Sequence, residues 1–268
     1  MKLPLYTLEK KRTGDISVPS QLEEPYRPDL IRRAVHAYQS SQRQPYGTFP
    51  EAGQRWASKV SKRRRDYRGC YGFGISRVNR KILSRRGTRM FWVGATTPQT
   101  TGGRRAHPPK ASKYLEEHIN VRERRKALRS AMSATLSKDL VQQRGHKVPL
   151  EYPFVIDTSV ELLQKTSEVR KLLEQLGFSG ELERTAEVKV RAGKGKSRGR
   201  KYRRKKGILL VVGENCPLVK SAGNIPGVEA VPVKSLHAEL LAPGAMPGRI
   251  ALWTSHAVDV LAKEKLYT

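Results

Sequence analysis

The chain is short of acid, of cysteine and of long apolar runs, and each shortage excludes something. Against 53 lysines and arginines stand 24 aspartates and glutamates, a formal net charge of +29 over 268 residues. An excess of that size goes beyond what solubility needs and calls for a polyanionic partner. The two cysteines, Cys70 and Cys216, lie far apart in unlike contexts. The opening MKLPLYTLEKK lacks the apolar core of about 7–15 residues and the cleavage site of an export signal. A disulfide framework is therefore excluded, and reduced thiols in a cytoplasmic compartment are expected. No run approaches the roughly 20 apolar residues of a membrane span, and no basic amphipathic stretch has a clean Trp, Leu and Phe face for a lipid surface. The expected polyanion is thus nucleic acid rather than a membrane. Nor do His36, His107, His118, His146, His237 and His256 form a pair at metal-ligand spacing, so no structural zinc is expected.

Acid and hydrophobic periodicity run out most completely between residues 43 and 113. Glu51 and Asp66 face Arg55, Lys59, Lys62, Arg63, Arg64, Arg65, Arg68, Arg77, Arg80, Lys81, Arg85, Arg86, Arg89, Arg104, Arg105 and Lys110. Such a segment cannot bury enough apolar surface to offset its ordering entropy, so an external polyanion must hold its shape. It is no featureless tail, because Trp56, Tyr67, Tyr71, Phe73, Phe91 and Trp92 are spaced among the cations. Guanidinium forks suit phosphate, aromatic faces suit unstacked bases, and glycines allow close backbone approach; a structured RNA asks for all three. The stretch reads as a long extended RNA-binding arm set into one globular domain, with Tyr71, Phe73, Phe91 and Trp92 as base-stacking candidates. A second tract, residues 188–206, has no acid at all, and reads as a basic RNA-binding loop through Arg191, Lys194, Lys196, Arg198, Arg200, Lys201, Arg203, Arg204 and Lys205.

Outside these tracts the rhythm is strand, helix, strand. Short strands are expected at 2–8 and 15–19, a helix at 28–42 and a longer one at 112–143 with room for a break near 133–137. Then come a strand at 153–157, a helix at 167–176, an apolar strand at 207–213 suited to cover on both faces, a strand at 228–233, a helix at 236–241, a strand at 249–254 and a helix at 256–265. This pattern predicts a three-layer α/β domain with a mainly parallel sheet. Such a fold does not by itself name a function.

Strings that imitate catalytic signatures fail on inspection. GKGKS at 193–197 ends like a phosphate loop, but Val190 stands where its first Gly belongs. GCYGFG at 69–74 has Arg77 where a dinucleotide fingerprint needs its third Gly. Asp157, at a strand end before Thr158 and Ser159, reads as a helix cap rather than a catalytic carboxylate. Cys216 reads as a half-buried thiol, Leu252 and Trp253 as core. No catalytic residue or cofactor is called for, though structural Mg2+ ions could join an RNA interface.

A helix feeding an arm that contains GFGISRV (72–78) and FWVGATTPQTTGGRRAHPPK (91–110), followed by RAGKGKSRGRKYRRKKGILLVVGE (191–214), resembles the archaeal and eukaryotic form of the large-subunit ribosomal protein family uL4, or L4e. The resemblance covers essentially the whole chain. Its size favours the archaeal form, since eukaryotic members usually carry a C-terminal extension beyond the position of Thr268. Cys70, Tyr71 and Phe73 depart from the more Gly/Arg-rich run usual there. The resemblance implies a structural constituent of the large subunit that binds its rRNA and supports assembly. It also implies an arm tip, residues 69–89, lining the polypeptide exit tunnel near its constriction beside uL22, where the nascent polypeptide passes. On that basis Arg77, Arg80, Arg85, Arg86 and Arg89 are the tunnel-facing candidates. An arm of about 70 residues folded back on itself reaches at most on the order of 100 Å, which is enough to cross deep RNA. Two other readings compete. An RNA-modifying enzyme on an α/β scaffold needs convergent polar groups in a pocket at the strand ends, and a non-specific DNA-packing protein would explain the charge alone.

Overall fold

The computed structural model describes residues 1–268. The chain forms two compact units, Met1–Gln42 with Glu116–Thr268, and Arg43–Leu115. In chain order the elements are β1 (Lys2–Tyr6), β2 (Arg12–Ser17), α1 (Pro28–Ser41), β3 (Arg80–Arg86), β4 (Arg89–Gly94), α2 (Val121–Leu136), α3 (Lys138–Gln143), β5 (Val155–Ile156) and α4 (Thr166–Gln175). After them come α5 (Ser179–Ala186), β6 (Val188–Val190), β7 (Tyr202–Arg204), β8 (Leu209–Val212), α6 (Pro217–Ala222), β9 (Glu229–Pro232), α7 (Ala238–Leu241), β10 (Ala251–Thr254) and α8 (Ser255–Lys263).

The larger unit is built on a six-stranded sheet in the order β2-β1-β5-β10-β8-β9. Only the β1–β2 pair is antiparallel; the others run parallel. Every residue of β8 and β10 is buried, as strands covered on both faces must be. Successive side chains point to opposite faces, and each face builds its own core. Leu209, Val211, Ala251 and Trp253 meet Ile31, Val35, Leu128 and Met132 of α1 and α2, with Ala257 and Leu261 of α8. Leu210, Val212 and Leu252 meet Val169, Leu172 and Leu173 of α4 and Leu218 of α6. Helices therefore cover both faces, which is the expected α/β arrangement. Burying each such Leu or Val side chain contributes about 1.5–3 kcal/mol.

The entry into α1 follows its sequence signals. Pro28 opens the helix and Asp29 sits in its first turn, where Arg27 grips the carboxylate at 2.8 and 3.1 Å. The helix expected at 112–143 starts later than expected and breaks at Ser137, within the 133–137 stretch where a break had room. It begins at Val121, and Ser137 takes an extended conformation (ψ 109°) before α3 resumes. Upstream of it, the Glu117 amide is held by Ser40 Oγ at 2.8 Å, so the backbone there is committed to α1's end instead of a helical turn.

Residues 188–206 are not a plain loop. Val188 pairs with Arg204, Lys189 with Arg203 and Val190 with Tyr202, so β6 and β7 form an antiparallel ribbon carrying the cations. Two helices were not expected. One is α6, whose signal is the Pro217 at its first position. The other, α5, buries Glu181 and Thr185, so its inward face is polar and hydrophobic periodicity does not reveal it.

The smaller unit, Arg43–Leu115, is organised around the β3–β4 hairpin, where the sequence suggests only extended chain. Arg86 pairs with Arg89 across a two-residue turn at Gly87 and Thr88, with Gly87 at φ 58° as such turns require. Its two ends run side by side: the Thr48 amide donates to Pro109 O at 3.1 Å. Gly53 (φ 77°) lies so close to residues 103 and 104 that a Cβ there would sit 2.5 Å from Gly103 O and Arg104 N. No helix of the protein is long and apolar enough to cross a membrane.

Candidate nucleic-acid interface

In the smaller unit the cations cover aromatic rings. Arg77 lies 4.3 Å from the Tyr71 centroid, Lys81 3.5 Å from Trp56, Arg80 5.2 Å from Trp92, Arg89 5.2 Å from Phe91 and Arg55 4.0 Å from Phe49. Three of the four stacking candidates thus carry a cation over one face. Phe73 carries none and is 66% exposed. Of these pairs Arg80 and Trp92 come from the two strands of the hairpin, whereas Arg89 and Phe91 lie two residues apart on β4.

Lys62, Arg63, Arg64, Arg65, Arg77, Arg85, Arg86, Arg89, Arg104, Arg105 and Lys110 are exposed, whereas Arg68, Arg80 and Lys81 are half-buried. Arg80 reaches Cys70 Sγ at 3.4 Å and Arg85 donates to Tyr67 Oη at 2.9 Å. Asp66 is already engaged: it accepts from Ser61 Oγ at 2.7 Å and from the Tyr67 amide at 2.8 Å, which hold its carboxyl below the usual range. The unit therefore offers a surface of cations with little acid to neutralise them.

The second set of expected residues lies on the β6–β7 ribbon, in the larger unit. Lys194, Lys196, Arg198, Arg200, Lys201, Arg203 and Arg204 are exposed, Arg191 and Lys205 half-buried. At the ribbon's foot the fold adds residues that sequence reasoning missed. Arg144, His146 and Arg184 join Arg203, Arg204 and Lys206 around a cavity of about 570 Å³. Arg184 donates to Glu181 at 2.6 and 2.8 Å, and His146 Nδ1 lies 2.7 Å from the same carboxylate. Burial pushes Glu181 up, but hydrogen bonds from Arg184, His146 and the Lys147 amide outweigh it and leave the group below the ordinary carboxylate range. Burial, with Arg249 and Arg184 nearby, pulls Arg144 down to about 10.

The strand ends offer little to an enzyme. Asp157 caps the following turn, accepting from Ser159 Oγ at 2.7 Å, as its sequence position suggests. Glu161, which the sequence did not single out, is the more buried carboxylate. It accepts from the Gly213 amide at 2.9 Å and Thr254 Oγ1 at 2.6 Å, with His256 Nδ1 at 3.0 Å. Its Oε1 joins the turn after β5 to the ends of β8 and β10, and its Oε2 ties that turn to His256 at the start of α8.

A family model described as "Ribosomal protein L4/L1 family" matches residues 16–264. The chain belongs to that family. It is 48% identical over 268 residues to the large ribosomal subunit protein uL4 of Nanoarchaeum equitans, covering all of both chains. It is 42% identical over 269 residues to the uL4 of Archaeoglobus fulgidus, covering 98% of this chain and 99% of that one. Against the uL4 of Methanocaldococcus jannaschii it is 41% identical over 264 residues, covering 97% and 98%. The archaeal-type uL4 resemblance carried by residues 72–78, 91–110 and 191–214 is thereby confirmed. The family is ribosomal and structural, which removes the enzyme reading of the α/β scaffold.

Proposed function

We propose that the chain is a non-catalytic constituent of the large ribosomal subunit in the cytoplasm, held there by rRNA and neighbouring ribosomal proteins. Its exposed cations neutralise phosphates so that RNA helices approach one another, and released counterions supply much of the binding free energy. The observation that carries this reading is the pairing of cations with aromatic rings on a unit that holds only Glu51 and Asp66 as acid. A ring covered on one face keeps the other for an unstacked base, while the covering cation lies next to that base's phosphate. Each such stack contributes about 1–3 kcal/mol.

The finer assignment follows the same chemistry. Residues 43–113 act as an arm inserted into RNA, with residues 69–89 at its tip beside uL22. Arg77, Arg80, Arg85, Arg86 and Arg89 meet RNA and the wall of the exit tunnel, past which the nascent polypeptide moves. Residues 188–206 supply a second phosphate-binding surface. A competition experiment tests the RNA preference: folded large-subunit rRNA should displace the protein from duplex DNA at matched salt. Equal affinities for the two would favour the DNA-packing alternative.

A further inference from the structure

Within the smaller unit, residues 66–92 enclose an open cavity of about 510 Å³. That volume lies in the range of about 300–1,000 Å³ typical of ligand pockets. Its wall is mainly apolar and aromatic, built from Tyr67, Phe73, Ile75, Met90 and Trp92. Solvent reaches these side chains: Tyr67 is 52% exposed, Phe73 66% and Ile75 38%, while Met90 and Trp92 are half-buried. Apolar groups gathered and left this open mark a place where a partner sits.

The charge around the wall says what that partner carries. Arg68 belongs to the lining and lies 5.4 Å from the Tyr67 centroid, Arg85 donates to the Tyr67 hydroxyl at 2.9 Å, and Arg80 lies 5.2 Å from the Trp92 centroid. Asp66 is the one acid in the wall, and both its oxygens are engaged, Oδ2 by Ser61 and Oδ1 by the Tyr67 amide. Flat rings bordered by guanidinium groups suit an occupant with a flat apolar face and a negative charge beside it. A nucleotide has both, whereas an apolar peptide side chain lacks the charge. No side-chain amide lines the cavity, so a base is gripped by its face and not selected by its edge.

We propose that this cavity seats one unstacked base of a single-stranded RNA segment, its face against the Phe73 ring and its phosphate beside Arg85. Of the three rings in the wall, Phe73 is the one that no cation covers. The inference rests on the RNA-binding reading above and adds to it the place where one base is held.

The test is nuclear magnetic resonance of the full-length protein labelled at its methionine methyls. Of the four methionines, Met1, Met132 and Met246 belong to the larger unit, so Met90 alone reports on the cavity. Its signal is assigned by its loss in Met90→Leu. The probes are a single-stranded RNA octamer of alternating adenylate and cytidylate, an octamer of the same backbone without its bases, and an octapeptide of alternating Phe and Asp. Binding of each is followed separately by fluorescence anisotropy. With the RNA the Met90 methyl should move upfield, as a methyl does over the face of an aromatic ring, and with the abasic octamer it should stay in place. In Phe73→Ala the RNA concentration that half-saturates this shift should rise about fivefold to 150-fold, the worth of one base stack, and Phe73→Trp should restore it. The seat is refuted, and the RNA-binding reading stands, if the RNA binds while Met90 stays still, if the abasic octamer moves it alike, or if Phe73→Ala leaves the half-saturation unchanged. A Met90 shift with the peptide and none with the RNA gives the cavity to a polypeptide and refutes the seat as well. If the RNA octamer does not bind the protein at all, the RNA-binding reading fails and the seat with it.

Discussion

Lys81 holds its ammonium 3.5 Å from the centroid of the Trp56 ring, joining β3 to a segment some way before the hairpin. Trp56 is 50% exposed, so this is an interaction at the surface, of the kind worth about 0.5–1 kcal/mol. A double-mutant cycle with Trp56→Ala and Lys81→Ala should return a coupling of that size, read as faster hydrogen exchange across residues 55–62 and 80–86. Additive effects of the two substitutions would show that the pair does not order the unit.

Glu161 is the principal polar tie at the strand ends. Replacing it by Ala leaves the Gly213 amide and the Thr254 hydroxyl without their acceptor, at a cost of about 1–3 kcal/mol for each buried group left unpaired. Chemical denaturation should show that loss near neutral pH. Burial raises this carboxyl, but its hydrogen bonds from Thr254, Gly213 and His256 prevail and lower it below the ordinary 4.5. A group depressed in the fold stabilises above its unfolded value and stops doing so as pH falls through its folded value. The gap between wild type and Glu161→Gln should therefore be full above about pH 5 and shrink in more acidic buffer. A gap that widens towards acid would contradict the assignment.

On the β6–β7 ribbon, charge should be visible in salt dependence. Neutralising Lys201, Arg203, Arg204 and Lys205 together should flatten the plot of log affinity for rRNA against log salt, by roughly 0.7–0.9 for each phosphate that the variant no longer neutralises. An unchanged slope would mean that these side chains do not touch phosphate.

Deleting residues 72–101 removes the β3–β4 hairpin and leaves the six-stranded sheet complete. Subunits carrying this variant should still contain the protein, while their exit tunnel is wider at the constriction, which cryo-electron microscopy measures. Complete loss of the variant from the subunit would show that the arm, and not the globular unit, anchors the chain.

Where burial follows apolar spacing, the fold was legible in the sequence. LLVV of β8 and ALWT of β10 are apolar on both faces, and α1 announces itself through Pro28, Asp29 and its recurring Ile31, Ala34 and Val35. The rest was hidden for physical reasons. In α5 the buried side chains are Glu181 and Thr185; the β3–β4 hairpin interleaves Ile82, Phe91 and Trp92 with arginines, leaving the Gly87 turn as its clearest signal. The cations of the candidate interface on residues 43–113 and 188–206 are named from charge alone. Arg144, His146 and Arg184 could not be, because a tertiary fold gathers them from separate elements around one cavity. Glu161 was equally silent, since its partners Gly213, Thr254 and His256 lie far along the chain.

We propose that RNA holds this chain in the large subunit. Sedimentation of the tagged protein from lysate through a high-salt sucrose gradient, with and without ribonuclease, tests it most directly. Near-stoichiometric migration with the large subunit, abolished by ribonuclease treatment, is the predicted result. Migration as free protein in the untreated gradient would contradict the account.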